Sequence, residues 1–216
     1  MIISHFKDYV LPLGIVLATI ISGFSQPVNI GIPPMRNFSK KEYKAGTQSW
    51  DAAQDSRGVM YWANNDGLLK FDGTNWICLP VANHTIVRSV AIDTADRIFV
   101  GAQSEFGYFS PAGNGHLVYQ SLIHLLPSEY KSFEDVWDII LLGKEVFFRT
   151  NHIVFQYANG QIKAYPQKSE IHSMFLLPAG LIIQQDSFRL SLFQNGSFQT
   201  YTNIPDLRSA ITGAHQ

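Results

Sequence analysis

The chain has 216 residues, a formal net charge of −1 and 15% charged residues, against about 25% in ordinary globular proteins. No basic run occurs in it, which excludes the concentrated positive field that nucleic-acid binding requires. Low charge combined with 13% aromatic residues points to sheets packed on both faces rather than one sheet with a wet side.

Residues 1–25 read as a targeting leader. Lys7 supplies a positive start, Val10–Ile21 a mostly apolar run broken by Pro12 and Gly14, and Gly23-Phe24-Ser25 a small-residue end with cleavage before Gln26. The run is shorter than the ~20 residues a spanning helix needs, so an exported, periplasmic protein is favoured over an uncleaved anchor. Residues 26–46 form a lead-in with Pro33-Pro34 and no clear period.

Repeats follow. In the first, Val59–Ala63 and Leu68–Phe71 read as strands joined by Asn64-Asn65-Asp66-Gly67, and Asp72-Gly73 turns the chain back toward Trp76. Asp-Gly and Asn-Gly pairs suit primed hairpin turns, in which both central residues take φ > 0. The aromatic residue closing the third strand recurs as Phe71, Phe109, Tyr157 and Phe193, at intervals of 38, 48 and 36 residues. Periods of this size with strand content indicate a propeller.

Second strands recur at Val59–Ala63, Ile98–Ala102, Glu145–Phe148 and Leu181–Ile183, mostly as unbroken apolar runs. Inner strands precede them at Ser49–Ala52, Ser89–Ile92, Val136–Ile139 and Ser173–Leu176, and outer strands close each repeat at Trp76–Leu79, Leu117–Tyr119, Ile162–Tyr165 and Phe198–Tyr201. The expected fold is therefore all-β: a β-propeller of four-stranded antiparallel blades over residues 47–216. The blades fall near 47–82, 86–120, 133–167 and 171–203. Arg208-Ser209-Ala210-Ile211 resembles Arg88-Ser89-Val90-Ala91, so a fifth repeat starts near 207 and the ring is expected to be an incomplete fragment of a longer product. The longest interval holds an insertion at 120–131, where Leu122–Leu126 before Pro127 suggests a short helical turn.

The stretch from Gly58 to Gly73, with Gly before an apolar–aromatic strand, then Gly67-Leu68, Lys70 and Phe71, resembles the repeat of two-component-regulator propellers. Arg36–Ser39 through Tyr43, and Gln48–Asp51 with Gln54-Asp55, are similar to that family's first blade. The second repeat keeps Glu105–Phe109, while His152-Ile153 and Phe188-Arg189 stand where Gly-Leu is expected. The resemblance implies a periplasmic sensor region of a dimeric signalling protein. Its tyrosine-rich domain, membrane helix and kinase or DNA-binding output would lie beyond residue 216. Other readings are a stand-alone exported propeller serving as a protein-interaction scaffold, and a propeller lyase or glycosidase.

No catalytic constellation is legible, and no enzyme activity, cofactor or metal site is expected. The histidines, among them His84, His116, His124, His152 and His172, fall in no ligand spacing. Cys78 lies in an apolar strand and reads as an inert buried thiol. Trp50-Asp51 and Trp137-Asp138 open inner strands, whereas the Trp-Asp of WD40 repeats closes a blade. Around Asp55-Ser56-Arg57-Gly58 the sialidase Asp-box fails, since Ala53 replaces its Ser and the Gly and Trp fall one place late.

A ligand, if bound, would meet the loops between second and third strands on one rim. The candidate binding residues are Asn64, Asn65, Asp66, Gln103, Glu105, Asn151, Gln185 and Asp186. Their amides and carboxylates suit a small polar ligand such as an oligosaccharide. Trp50 and Trp137 offer either a stacking surface or inter-blade packing. For the leader, N-terminal sequencing of exported protein should return Gln26 or a near neighbour as the first residue, and an intact Met1 on membrane-bound material would overturn the cleavage.

Overall fold

The computed structural model describes residues 35–113, 115–186 and 189–201; the leader and the fifth-repeat start lie outside the described residues. Sixteen strands form four separate four-stranded sheets, each ordered by chain sequence and antiparallel throughout. The first sheet is β1 (Ser49–Gln54), β2 (Met60–Asn64), β3 (Gly67–Phe71) and β4 (Trp76–Leu79). The second is β5 (Val87–Ile92), β6 (Ile98–Ala102), β7 (Glu105–Pro111) and β8 (Leu117–Ser121). The third is β9 (Asp138–Leu142), β10 (Glu145–Arg149), β11 (Ile153–Ala158) and β12 (Gln161–Pro166). The fourth is β13 (Ile171–Leu177), β14 (Gly180–Gln185), β15 (Arg189–Gln194) and β16 (Ser197–Tyr201). The third inner strand starts at Asp138, two residues later than the sequence suggests.

The unbroken apolar runs follow from packing. Along β6, Ile98 and Val100 enter a core shared with the first blade (Tyr61, Leu68), while Phe99 enters the core shared with the third (Val146, Phe148). Along β10, Val146 and Phe148 face back to the second blade and Phe147 faces forward to Met174 and Ile183 of the fourth. A strand buried on both faces has no polar side to alternate with.

The insertion is structural at its centre. Two 3-10 turns, Ile123–Leu125 and Ser128–Tyr130, hang Leu122 and Leu126 into the core between the second and third blades. The lead-in also packs. Helix α1 (Lys40–Tyr43) brings Tyr43, and the residue before its cap brings Phe38, onto Trp76, which stacks on Phe71 at 4.4 Å.

The turns divide by chemistry. Asn159-Gly160 and Asn195-Gly196 are primed turns, with φ of +52 and +76 in the first and +51 and +74 in the second. Asp72-Gly73 departs from that expectation, because only Gly73 has positive φ. Asp72 instead accepts the N–H groups of Thr74 and Asn75 at 2.9 and 2.7 Å, a side-chain substitute for turn backbone. The β1–β2 and β5–β6 turns are copies of each other. Asp55 Oδ1 accepts the N–H of Arg57 and Val59, and Asp93 Oδ1 accepts those of Ala95 and Arg97. Each second oxygen takes the guanidinium of Arg57 or Arg97. Burial alone would raise the Asp55 carboxyl, but these donors hold it below the ordinary range.

Gly67 decides the first hairpin. Its φ is +133, and a Cβ there would stand 2.4 Å from the Leu79 carbonyl oxygen of β4. Gly67→Val should therefore cost about 2–4 kcal/mol through strain and overlap. Gly73→Ala, at φ +96 with open space around it, should cost only about 1 kcal/mol. Urea unfolding midpoints check both, and equal effects would mean that the approach of β4 is unimportant.

Candidate functional site

Inner strands of successive blades lie side by side, β1 by β5, β5 by β9 and β9 by β13. Three of them begin with a break in pairing register: between Ser49 and Asp51, between Val87 and Ser89, and between Ile171 and Ser173. The residues at these breaks are Trp50, Arg88 and His172. Trp137 occupies the corresponding place just before β9, its N–H donating to the Arg149 carbonyl at 2.8 Å. A bulge bends its strand and re-aims the extra side chain.

Three of these side chains form one cluster. The Trp50 and Trp137 rings meet edge-on at 6.0 Å, and the Arg88 guanidinium carbon lies 4.0 Å from the first ring centroid and 4.9 Å from the second. Arg88 Nε also pairs with Asp135 Oδ1 at 3.1 Å, both side chains being largely buried. Blades one and three thus touch through a cation held by blade two.

The residues that follow the bulges tie each blade to the next. Asp51 Oδ2 accepts the Val90 N–H at 2.9 Å, and Asp138 Oδ2 accepts the Met174 N–H at 2.9 Å. Between them, the Ser89 hydroxyl donates to the Val136 carbonyl at 2.9 Å. Asp138 is also bonded by Arg149 Nε, and Arg149 Nη1 donates to the Ile171 carbonyl at 2.8 Å. Protein packed around the Asp51 carboxyl raises its pKa despite the N–H donors of Val90 and Ala52, and the Asp138 charge adds to the rise.

The loops between second and third strands do share this rim. The N–H of Asn65 donates to Gln48, that of Gln103 to Ile86, and that of Asp186 to Glu170, while the Asn151 carbonyl accepts from Ile171. Their side chains fare differently. Asn64 is fully buried; its amide donates to the Gly46 carbonyl and Ser49 hydroxyl and accepts the Asp66 N–H. Glu105 is buried, with Oε1 accepting from Ser121, Phe106 and Tyr119. Burial raises its pKa and, with the neighbouring Glu105, that of Tyr119. Gln185 is buried between Ser191 and Gln167. The polar atoms of these three serve the fold.

Asn65 accepts the Trp50 indole N–H at 2.8 Å, Gln103 accepts the Thr85 hydroxyl at 3.3 Å, and Asp186 pairs with Arg189 at 3.4 Å. Asp66 is exposed. Asn151 donates to Glu134 Oε2 at 3.0 Å and walls two clefts on this rim. A cleft of about 300 Å³ is lined by Trp137, Arg149, Asn151, Glu170, Ile171 and His172. A neighbouring one of about 260 Å³ lies between the end of the insertion (Phe133, Glu134) and Asn151, His152 and Ile153. Both fall at the small end of ligand-site volumes. Sequence reasoning singled out neither Arg88 nor Glu170 as a site residue, and found His172 in no ligand spacing. The common phase of Trp50, Arg88, Trp137 and His172, one residue before Asp51, Ser89, Asp138 and Ser173, was the available signal. Among the described residues, no three His, Cys, Asp or Glu side chains are placed to hold a metal ion.

Four-stranded antiparallel sheets stacked in chain order, joined along their inner strands, define the chain as a β-propeller. Solved structures share that fold. The chain is similar to the extracellular domain of BT4673 from B. thetaiotaomicron, described as a one-component or hybrid two-component system. The TM-score is 0.63 at 18% identity, over 83% of this chain and 25% of that one. It is similar to the extracellular domain of the hybrid two-component system BT3049 from the same organism, with TM-score 0.56 at 14% identity over 82% of this chain and 25% of that one. It is also similar to virginiamycin B lyase from Staphylococcus aureus, with TM-score 0.55 at 13% identity over 75% of this chain and 57% of that one. This chain thus spans about a quarter of the two B. thetaiotaomicron domains. No protein-family model and no curated protein matches it.

Arg88→Met should remove the cation shared by the two indoles and leave the Asp135 carboxylate unpaired. The expected cost is about 3 kcal/mol, read from urea unfolding, with a change in tryptophan emission of the folded protein. Adding Asp135→Asn should recover part of it. A loss under about 0.5 kcal/mol would mean the cluster contributes nothing to joining the blades.

Proposed function

We propose that this chain is part of an exported ligand-sensing propeller, the sensor portion of a dimeric two-component-type signalling protein. Its ligand would be small and polar, such as an oligosaccharide. The observation that carries the reading is the rim itself. Trp137 and His172, at the entry to the third and fourth inner strands, line a cleft with Asn151 of a strand-2–3 loop, and the bulged Trp50 and Arg88 pack beside Trp137 on the same face. Aromatic rings beside amide and carboxylate groups suit a ligand with an apolar ring face and a hydroxylated edge.

Two further observations support the sensor reading over a stand-alone scaffold. The repeat from Gly58 to Gly73 resembles the two-component-regulator propeller, and the fold is shared with extracellular domains from systems of that kind. Export rests on the leader read in residues 1–25. The lyase among the similar structures keeps an enzyme as the second reading; the smaller cleft holds Ser132, Thr150 and His152, but the Thr150 hydroxyl is bonded to the backbone of His152 and Ile153 rather than to an imidazole.

Titration of the protein with a panel of oligosaccharides, followed by tryptophan emission, tests the proposal. At least one should change the emission saturably, the change should be lost in Trp137→Ala, and the sugar should be recovered intact. Chemical turnover of a bound sugar would favour the enzyme, and saturable binding that Trp137→Ala leaves untouched would remove the rim from the site.

A further inference from the structure

We infer that the cleft between the third and fourth blades selects saccharides rich in hydrogen-bond donors, neutral or amine-bearing, and rejects acidic ones. The inference rests on the polar-ligand reading above and narrows it to a chemical class. It follows from which donors and acceptors the lining residues still have to offer.

Arg149 is the permanent cation in the lining, and its charge is paired with that of Asp138. Its Nε bonds the Asp138 carboxylate and its Nη1 the Ile171 carbonyl, with the side chain buried. Asn151 gives one amide N–H to Glu134, which leaves one N–H and its carbonyl oxygen to offer. Glu170 is exposed, and its backbone carbonyl, not its carboxylate, takes the Asp186 N–H. Glu170 lines the cleft, and its exposed carboxylate brings a negative charge and acceptor oxygens to it. Across Asn151 stands the second carboxylate, Glu134. Against these acceptors the cleft offers the His172 imidazole and the apolar surface of Trp137.

A site of this composition is complementary to a ligand that donates. Vicinal hydroxyls or an ammonium group can satisfy the two oxygens of Glu170, and a sugar's C–H face can lie on Trp137. A uronate or sulfated sugar brings a negative charge to a lining where the one guanidinium charge is already paired with Asp138 and Glu170 adds a carboxylate, a repulsive element of the kind that sets specificity.

The test is protein-observed NMR on the full chain at neutral pH and low salt, following the Trp137 indole N–H, assigned by its disappearance in Trp137→Phe. Glucosamine, glucose and glucuronate are titrated separately to tens of millimolar. Glucosamine is expected to shift the signal most, glucose less, and glucuronate at least tenfold more weakly than glucosamine. In Glu170→Gln, which keeps the size and removes the charge of an exposed side chain, the preference for glucosamine over glucuronate should fall several-fold. Equal response to glucuronate and glucosamine in the native chain, or an unchanged preference in Glu170→Gln, overturns the selectivity. If none of the three sugars shifts Trp137, the cleft is not a saccharide site. In that case a response of other indole signals to the oligosaccharide panel would leave the sensor reading standing while this inference falls.

Discussion

The second strands of the two middle blades are covered on both faces by neighbouring blades, and the rest of the structure depends on that. A sheet whose middle strand reads Ile98-Phe99-Val100 cannot leave either side wet. It must be stacked between two others, as Val146-Phe147-Phe148 is in the next blade. Stacking in chain order then fixes where everything else falls. Inner strands come together along one line, outer strands stay at the periphery, and successive hairpin loops gather on the same rim. Stability in such an arrangement is shared between neighbours rather than owned by a blade.

The architecture was legible because it is written in a repeating pattern. Phe71, Phe109, Tyr157 and Phe193 mark the phase, and the unbroken apolar second strands mark burial on both faces. What the pattern missed were contributions made by single residues outside the period. Phe38 and Tyr43 lie in a stretch with no periodicity, yet they cover Trp76 of the first blade. Leu122 and Leu126 belong to an insertion that interrupts the period and reads only as a short helical turn, yet they are core residues. Asp72-Gly73 has the composition of a primed turn, but the Asp72 side chain satisfies the following N–H groups and so the backbone takes another course.

The site was less legible, for a physical reason. An amide or carboxylate in a turn looks the same in sequence whether it faces solvent or closes a backbone gap. Asn64, Glu105 and Gln185 turn inward because the strands and loops packed around them leave buried N–H, hydroxyl and carbonyl groups that must be bonded. Asn65, Asp66, Gln103 and Asp186, one or two residues away, and Asn151 in the third blade keep contact with solvent. Arg88 and Glu170 escaped notice because their importance comes from neighbours in other blades: the two indoles in one case, and the cleft beside Asn151 in the other.

The links between inner strands alternate in polarity. An aspartate on blade one accepts a backbone N–H of blade two, a serine on blade two donates to a backbone carbonyl of blade three, and an aspartate on blade three again accepts from blade four. In each link the partner on the far blade is backbone: the Val90 N–H, the Val136 carbonyl and the Met174 N–H. Every blade carries such groups whatever its side chains. The seam is thus specified from one side only, and a receiving strand is free to vary in sequence as long as its backbone keeps its place.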